Sequence, residues 1–307
     1  MVQVTEGTFT VDGASLFTKT WLPEGAMKAK MIMFHGYSDH VDRYYGFFPH
    51  LAERGIAVYG LDQRGWGRSA TKHADRGKTG PTARVLADMA AFIRAQLPSD
   101  VPVFVLGHSM GGAQVLTLAS TPAYEADLIT QVRGWILESP FVGFAPELRP
   151  SWLVVSSGRL AARVVPHAKL HRPVPPEDVT RDESVRESIR KDPLVHNYGT
   201  LEGLAGMLDR SIGLETGALR LSPRVTSLFM VHGDADRATS FAASKAWFDR
   251  NEKAIPDATF KNFEGFAHQL HADPGKEEFY EDVAAWILAR VDDTKTPAKP
   301  AVGAAHL

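Results

Sequence analysis

Val101-Pro102-Val103-Phe104-Val105-Leu106-Gly107-His108-Ser109-Met110-Gly111-Gly112 organises the chain. The run from Val101 to Leu106 is apolar, β-branched and too short for a helix, so it is expected to be a strand buried on both faces of a parallel sheet. It closes on Gly107-His108-Ser109-Met110-Gly111, a G-x-S-x-G pattern. In such an elbow a sharp strand-to-helix turn lifts the serine hydroxyl above the sheet. Gly107 and Gly111 have a steric role there, because a Cβ at either position would meet neighbouring backbone. A helix from Met110 to about Ser120 would aim its free amides and positive dipole end at any oxyanion forming on Ser109. A helix N-cap is the ordinary alternative for Ser109. The strand before it and the helix after it favour the nucleophile.

The flanking chain repeats the strand–helix alternation. Val2 to Trp21 holds two strand-like runs about Asp12-Gly13, a hairpin expected at the sheet edge. Lys30 to Phe34 is a central strand running into His35-Gly36-Tyr37, where the glycine lets the Tyr37 amide turn toward the site. A helix is expected over Asp42–Arg54, stopped by Gly55. Ile56–Leu61 is the next strand, and Asp62 and Arg64 after it are expected to pair. A helix over Thr82–Leu97 ends at Pro98, and Gly134–Leu137 is a further strand. More than eighty residues then intervene before the strand Thr226–Val231, far beyond a normal crossover. They hold an apolar helix candidate around Pro150–Val165 and a Pro-rich charged loop. This is expected to be a helical cap, residues 141–222, over the carboxyl ends of the strands. The core is then 1–140 and 223–291, with a last strand Phe260–Phe263 and a closing helix Glu277–Val291. Residues 292–307, rich in Pro, Ala and Lys, are expected to form a flexible tail.

Composition narrows the function. The 34 basic and 36 acidic side chains leave a formal charge of −2, with no basic stripe for nucleic acid. Cysteine is absent, which excludes disulfides, thiolate zinc sites and a cysteine nucleophile. The first residues lack the basic and apolar regions of a secretory signal, and no stretch has the length of a membrane span. The expectation is an intracellular, cytoplasmic protein. Ala305-His306-Leu307 fits a relaxed small-basic-leucine address, so a peroxisomal destination also stands.

Serine, acid and histidine fall at three different strand ends, in the chain order of α/β-hydrolases. A serine hydroxyl is a weak nucleophile until a histidine takes its proton, and that imidazole needs a carboxylate to fix its tautomer. Ser109 is the nucleophile, Asp236 the orienting acid and His268 the base, with backbone amides of Tyr37 and Met110 as oxyanion donors. Asp234 and His271 lie so near that spacing alone leaves both in contention. No metal and no cofactor is needed for this chemistry.

The segments His35–His40 (H-G-Y-S-D-H), Leu61–Ser69, Gly107–Gly112, Asp192–Leu194 (D-P-L), Gly233–Arg237 and Glu264–His268 together resemble the monoacylglycerol lipase family, within the serine aminopeptidase-like α/β-hydrolases. The resemblance runs to about Val291. It implies an α/β-hydrolase fold with a mobile lipophilic cap, and places the acid on Asp236 and the histidine on His268. Trp66 and Tyr37 are bulky where that family has smaller or different residues, and are expected to narrow the pocket.

The function expected is a serine esterase for carboxylic esters with an apolar acyl group, working through an acyl-serine. An acyltransferase or thioesterase of specialised metabolism using the same residues is the alternative. A non-catalytic binding protein of the same fold ranks below both, because it predicts a damaged triad. The expected partners are a small ester or lipid-like substrate and, through the cap, a transient contact with a membrane surface.

Overall fold

The computed structural model describes residues 2–145 and 151–291. The expected tail, including Ala305-His306-Leu307, lies outside the described residues. In chain order the main elements are β1 (Gln3–Val11), β2 (Ala14–Leu22), β3 (Ala29–Phe34), α1 (Phe47–Glu53), β4 (Ile56–Leu61), α2 (Thr82–Arg94), β5 (Val103–His108), α3 (Met110–Ala119) and β6 (Gly134–Glu138). An inserted segment follows with α4 (Trp152–Val164), β7 (Lys169–His171), α5 (Pro176–Val179), α6 (Glu183–Lys191), β8 (Tyr198–Thr200) and α7 (Leu201–Glu215). The chain then returns through β9 (Ser227–Gly233), α8 (Phe241–Asn251), β10 (Asp257–Phe263) and α9 (Glu277–Leu288).

Eight strands form one sheet in the order β1-β2-β4-β3-β5-β6-β9-β10. The β1–β2 hairpin turns at Asp12-Gly13 and joins β4 antiparallel, at one edge as expected; the other pairings are parallel. This is the α/β-hydrolase arrangement. Alternation along the strands divides the core in two. Val103 and Val105 of β5 pack on the side of α2, α3 and Trp247, whereas Phe104 and Leu106 pack on the side of α1 and α9. Both faces are covered, so the strand sequence is continuously apolar instead of alternating with polar residues.

Two expectations change. The helix expected over 42–54 is broken: Val41–Tyr44 forms a 3-10 turn, Tyr45 stands at φ 44°, and α1 begins only at Phe47. Tertiary partners override the helical pattern here, because the Asp62 carboxylate accepts the Val41 amide at 2.9 Å and Arg43 turns to Asp39 and Asp192. Asp62 and Arg64 do not pair. Asp62 is filled by the backbone amides of Val41 and Arg68, while Arg64 makes a two-point contact with Asp88 of α2 at 2.6 and 3.0 Å. The buried acid is better satisfied by two fixed amides, and the planar guanidinium by a facing carboxylate.

The inserted segment is tied to the core near the end of β3. Asp192 Oδ2 accepts from His40 Nε2 at 2.8 Å and from Arg43 Nη1 at 3.3 Å. Partial burial opposes its charge, but these partners hold its pKa down to about 2. Asn197 donates its amide to Ser38 Oγ at 2.8 Å and accepts from the Tyr37 hydroxyl at 3.1 Å. Trp66 lies edge-on to Tyr37 and flat against His196 at 5.0 Å. Trp66 therefore braces Tyr37 from behind, and of the two bulky residues only Tyr37 faces the cavity described next.

Candidate active site

Gly107 and Gly111 permit the turn at the end of β5. A Cβ on Gly107 would stand 2.5 Å from the Gly111 carbonyl oxygen, and one on Gly111 would fall on the Phe34 carbonyl oxygen. Ser109 sits between them at φ 54°, ψ −118°, a conformation that costs on the order of 1–3 kcal/mol for a residue with a side chain. Packing on all sides holds it: the Ser109 amide donates to Glu138 O at 3.0 Å and its carbonyl accepts the Phe141 amide at 2.9 Å. Gly111→Ala is expected to destabilise the protein by about 3 kcal/mol or more, since backbone cannot yield as a side chain does. A melting curve unchanged from the parent would refute this.

The acid and histidine come from the loops after β9 and β10. The Asp236 side chain is fully buried and accepts five hydrogen bonds. His268 Nδ1 donates at 2.7 Å, His232 Nε2 at 2.9 Å and Thr239 Oγ1 at 2.8 Å to Oδ2, while the amides of Ala238 and Thr239 reach Oδ1 at 2.7 and 2.9 Å. Burial alone would raise the pKa of Asp236, but His268 and His232 outweigh it and hold the carboxyl below its ordinary range. Burial likewise disfavours the charged imidazole of His268, and the Asp236 carboxylate overcomes this, so its pKa is raised. With Nδ1 donating to Asp236, Nε2 keeps its lone pair.

Ser109, Met110, Tyr37 and His268 all line one cavity of about 830 Å³. The His35-Gly36 turn crosses directly over the elbow, because a Cβ on Gly36 would be 3.3 Å from Ser109 Cβ. Met110 opens α3, whose first amides have no acceptor within the helix. Much of the remaining wall is apolar and comes from residues between 141 and 222, including Phe141, Phe144, Val154, Leu204 and Leu208.

The rivals of the sequence reading go elsewhere. Asp234 is largely exposed and holds Asn262 Nδ2 and the Gly265 amide. His271 is fully buried against Glu138, with its Nδ1 2.7 Å from Oε1. His108, Glu138 and His271 bring two imidazoles and a carboxylate within 4.8 Å of one another. That 2.7 Å contact is a hydrogen bond, whereas two ligands of one tetrahedral zinc stand roughly 3.3 Å apart. His232 and Thr239, which both reach Asp236, were not legible as site residues from the sequence. His232 lies four residues before Asp236, which was the only local hint.

A family model described as serine aminopeptidase, S33, matches residues 25–275. The chain belongs to this family. Among the relatives, a putative monoglyceride lipase of Schizosaccharomyces pombe is 31% identical over 288 residues, covering 92% of this chain and 74% of that protein. The monoacylglycerol lipase of Mycolicibacterium smegmatis is 29% identical over 285 residues, covering 92% of this chain and 95% of its own. A soluble variant of the Saccharomyces cerevisiae monoglyceride lipase, solved with a substrate analogue, shares the fold with a TM-score of 0.81 at 18% identity, covering 94% of this chain and 97% of that one. The α/β-hydrolase fold expected from the S33-like motifs is thus shared with solved structures.

Proposed function

We propose that the protein hydrolyses carboxylic esters with an apolar acyl chain, of the monoacylglycerol kind, through an acyl-Ser109 intermediate. The observation that carries this reading is a histidine, held by a buried carboxylate, sharing one largely apolar cavity with an elbow serine. His268 Nε2 takes the Ser109 proton as Oγ bonds to the ester carbon. The carbonyl oxygen, now an oxyanion, is met by the amides of Tyr37 and Met110, each such donor contributing about 3 kcal/mol to the barrier reduction. His268 returns the proton to the leaving alcohol as its C–O bond breaks. Water then repeats the sequence on the acyl-enzyme and releases the acid. Residues 141–222 act as the cap, and 1–140 with 223–291 as the core. The relatives named as monoglyceride lipases support the ester class.

On the outer side of α4, Trp152, Leu153, Leu160 and Val164 are exposed, Trp152 and Val164 at 73% each. Val154, Ser157, Gly158 and Ala161 of the same helix line the cavity. A helix that is apolar outward at the mouth of an apolar cavity suits transient contact with a lipid surface. Among the described residues no helix is long and apolar enough to cross a membrane.

Turnover of p-nitrophenyl esters from acetate to laurate and of monoacylglycerols tests the reading. kcat/KM is expected to rise with acyl length. No turnover of any ester by protein that fluorophosphonate still labels would overturn it. Activity is also expected to fall as pH drops, about tenfold per unit below the His268 pKa, because a protonated imidazole cannot accept the serine proton. Asp236 raises that pKa, so the midpoint of the kcat/KM profile should lie above the ordinary 6.5. A midpoint well below 6.5 would contradict the assigned pair.

A further inference from the structure

Behind the elbow lies an acid–histidine pair that the mechanism above does not use. Glu138 ends β6 in register with His108 of β5, and its backbone carbonyl holds the Ser109 amide. Glu138 Oε1 accepts both the backbone amide of His271 at 3.1 Å and its ring Nδ1–H at 2.7 Å. Neither residue has any exposed surface. Keeping a carboxylate there costs several kcal/mol of desolvation, and an apolar residue at a buried strand end would cost nothing comparable. His271 follows His268 by three residues in the same loop. The His108 ring lies between the two, with centroids 5.1 Å from His271 and 4.9 Å from His268.

We propose that Glu138 and His271 form a positioning pair for the reaction: it pins the loop so that His268 faces Ser109, and it keeps a second negative charge behind the imidazolium that His268 becomes. This rests on the reading of Ser109, Asp236 and His268 given above. Burial opposes a charge on Glu138, but the His271 imidazole donating to it outweighs this and holds the carboxyl below its ordinary range. The groups facing it are His108, Tyr44 stacked on His271 at 4.2 Å, and Tyr280, whose hydroxyl donates to the His271 carbonyl at 2.8 Å. Tyr44 also donates to Asp39 at 3.0 Å. Facing His268 are Asp236, with His232 and Thr239 behind it, and His108, Glu138 and Asp39. Asp39 has Arg43 at 3.6 Å to offset its charge. Among the described residues no lysine or arginine pairs with Glu138. Burial holds His108 neutral, with its pKa pushed down to about 3. The charge of Glu138 therefore acts on His268 without a fixed counter-ion between them.

Glu138→Gln keeps the shape and the acceptor oxygen but removes the charge. kcat and KM are to be measured across pH, with the active fraction counted by fluorophosphonate titration and folding followed by thermal melting. The expected result is an unchanged KM, a lower kcat, and an acid limb of kcat/KM moved down by about 0.5–1 pH unit. Glu138→Asp should restore the midpoint. If Glu138→Gln does not fold, Glu138→Leu combined with His271→Phe, which removes the ring donor along with the carboxylate, should give the same shift. An unmoved midpoint in the folded neutral variant, whatever its melting temperature, overturns the proposal. His268→Asn separates the two readings: retained turnover there removes the triad itself, whereas lost turnover with an unmoved Glu138→Gln midpoint removes only the pair.

Discussion

Ser109→Ala protein is expected to lose all fluorophosphonate labelling and at least about 10⁴-fold in kcat, with its melting temperature essentially unchanged. The catalytic loss is large because the nucleophile, its base and the oxyanion donors act as a unit, so deleting one member forfeits most of what the others contribute. The fold should be insensitive because what holds the elbow is backbone. The Ser109 amide and carbonyl are bonded to Glu138, Phe141 and Ala113, and these bonds survive removal of the hydroxyl. Alanine inherits the φ of 54° and hence the same strain. Persistent labelling would place the reactive group elsewhere. A collapse in melting temperature would mean that the hydroxyl itself is structural.

The second large effect is at the acid. Asp236→Asn should reduce kcat by about 10⁴-fold, whereas Asp234→Asn should change it by no more than about threefold. An amide at Asp236 can offer its NH₂ to His268 Nδ1, which then accepts, and Nε2 is left carrying the proton it should remove from serine. The variant also withdraws the charge that outweighs burial at His268. Asp234 has no such connection. Its oxygens hold Asn262 and Gly265 at the surface, so its loss should appear, if anywhere, as a small change in stability. Equal sensitivity of the two positions in steady-state assays would reject Asp236 as the orienting acid.

The fold was legible because parallel strands buried on both faces must be continuously apolar, and β3, β5 and β9 announce themselves that way. The elbow was legible because its two glycines and the serine between them are adjacent, so one local pattern carries the whole steric requirement. The pairing of acid and histidine was legible from the family resemblance but not from local spacing. Asp234 and Asp236 share one loop, as do His268 and His271, and residue type cannot separate neighbours two or three apart. Local spacing likewise suggested Asp62 with Arg64, and the molecule uses neither for the other.

The sequence by itself thus determined the order of strands and helices, the glycine-flanked turn at Ser109 and the chain order of Ser109, Asp236 and His268, because burial pattern and turn chemistry act within a few residues. The resemblance already placed the acid on Asp236 and the histidine on His268, but tertiary structure alone decided that Glu138 meets His271 and Asp192 meets His40. Asp236 and His268 are 32 residues apart, Glu138 and His271 are 133, and Asp192 and His40 are 152. Partners at such distances are selected by where the sheet register and the inserted segment bring their side chains, and by the high cost of leaving any buried charge without one.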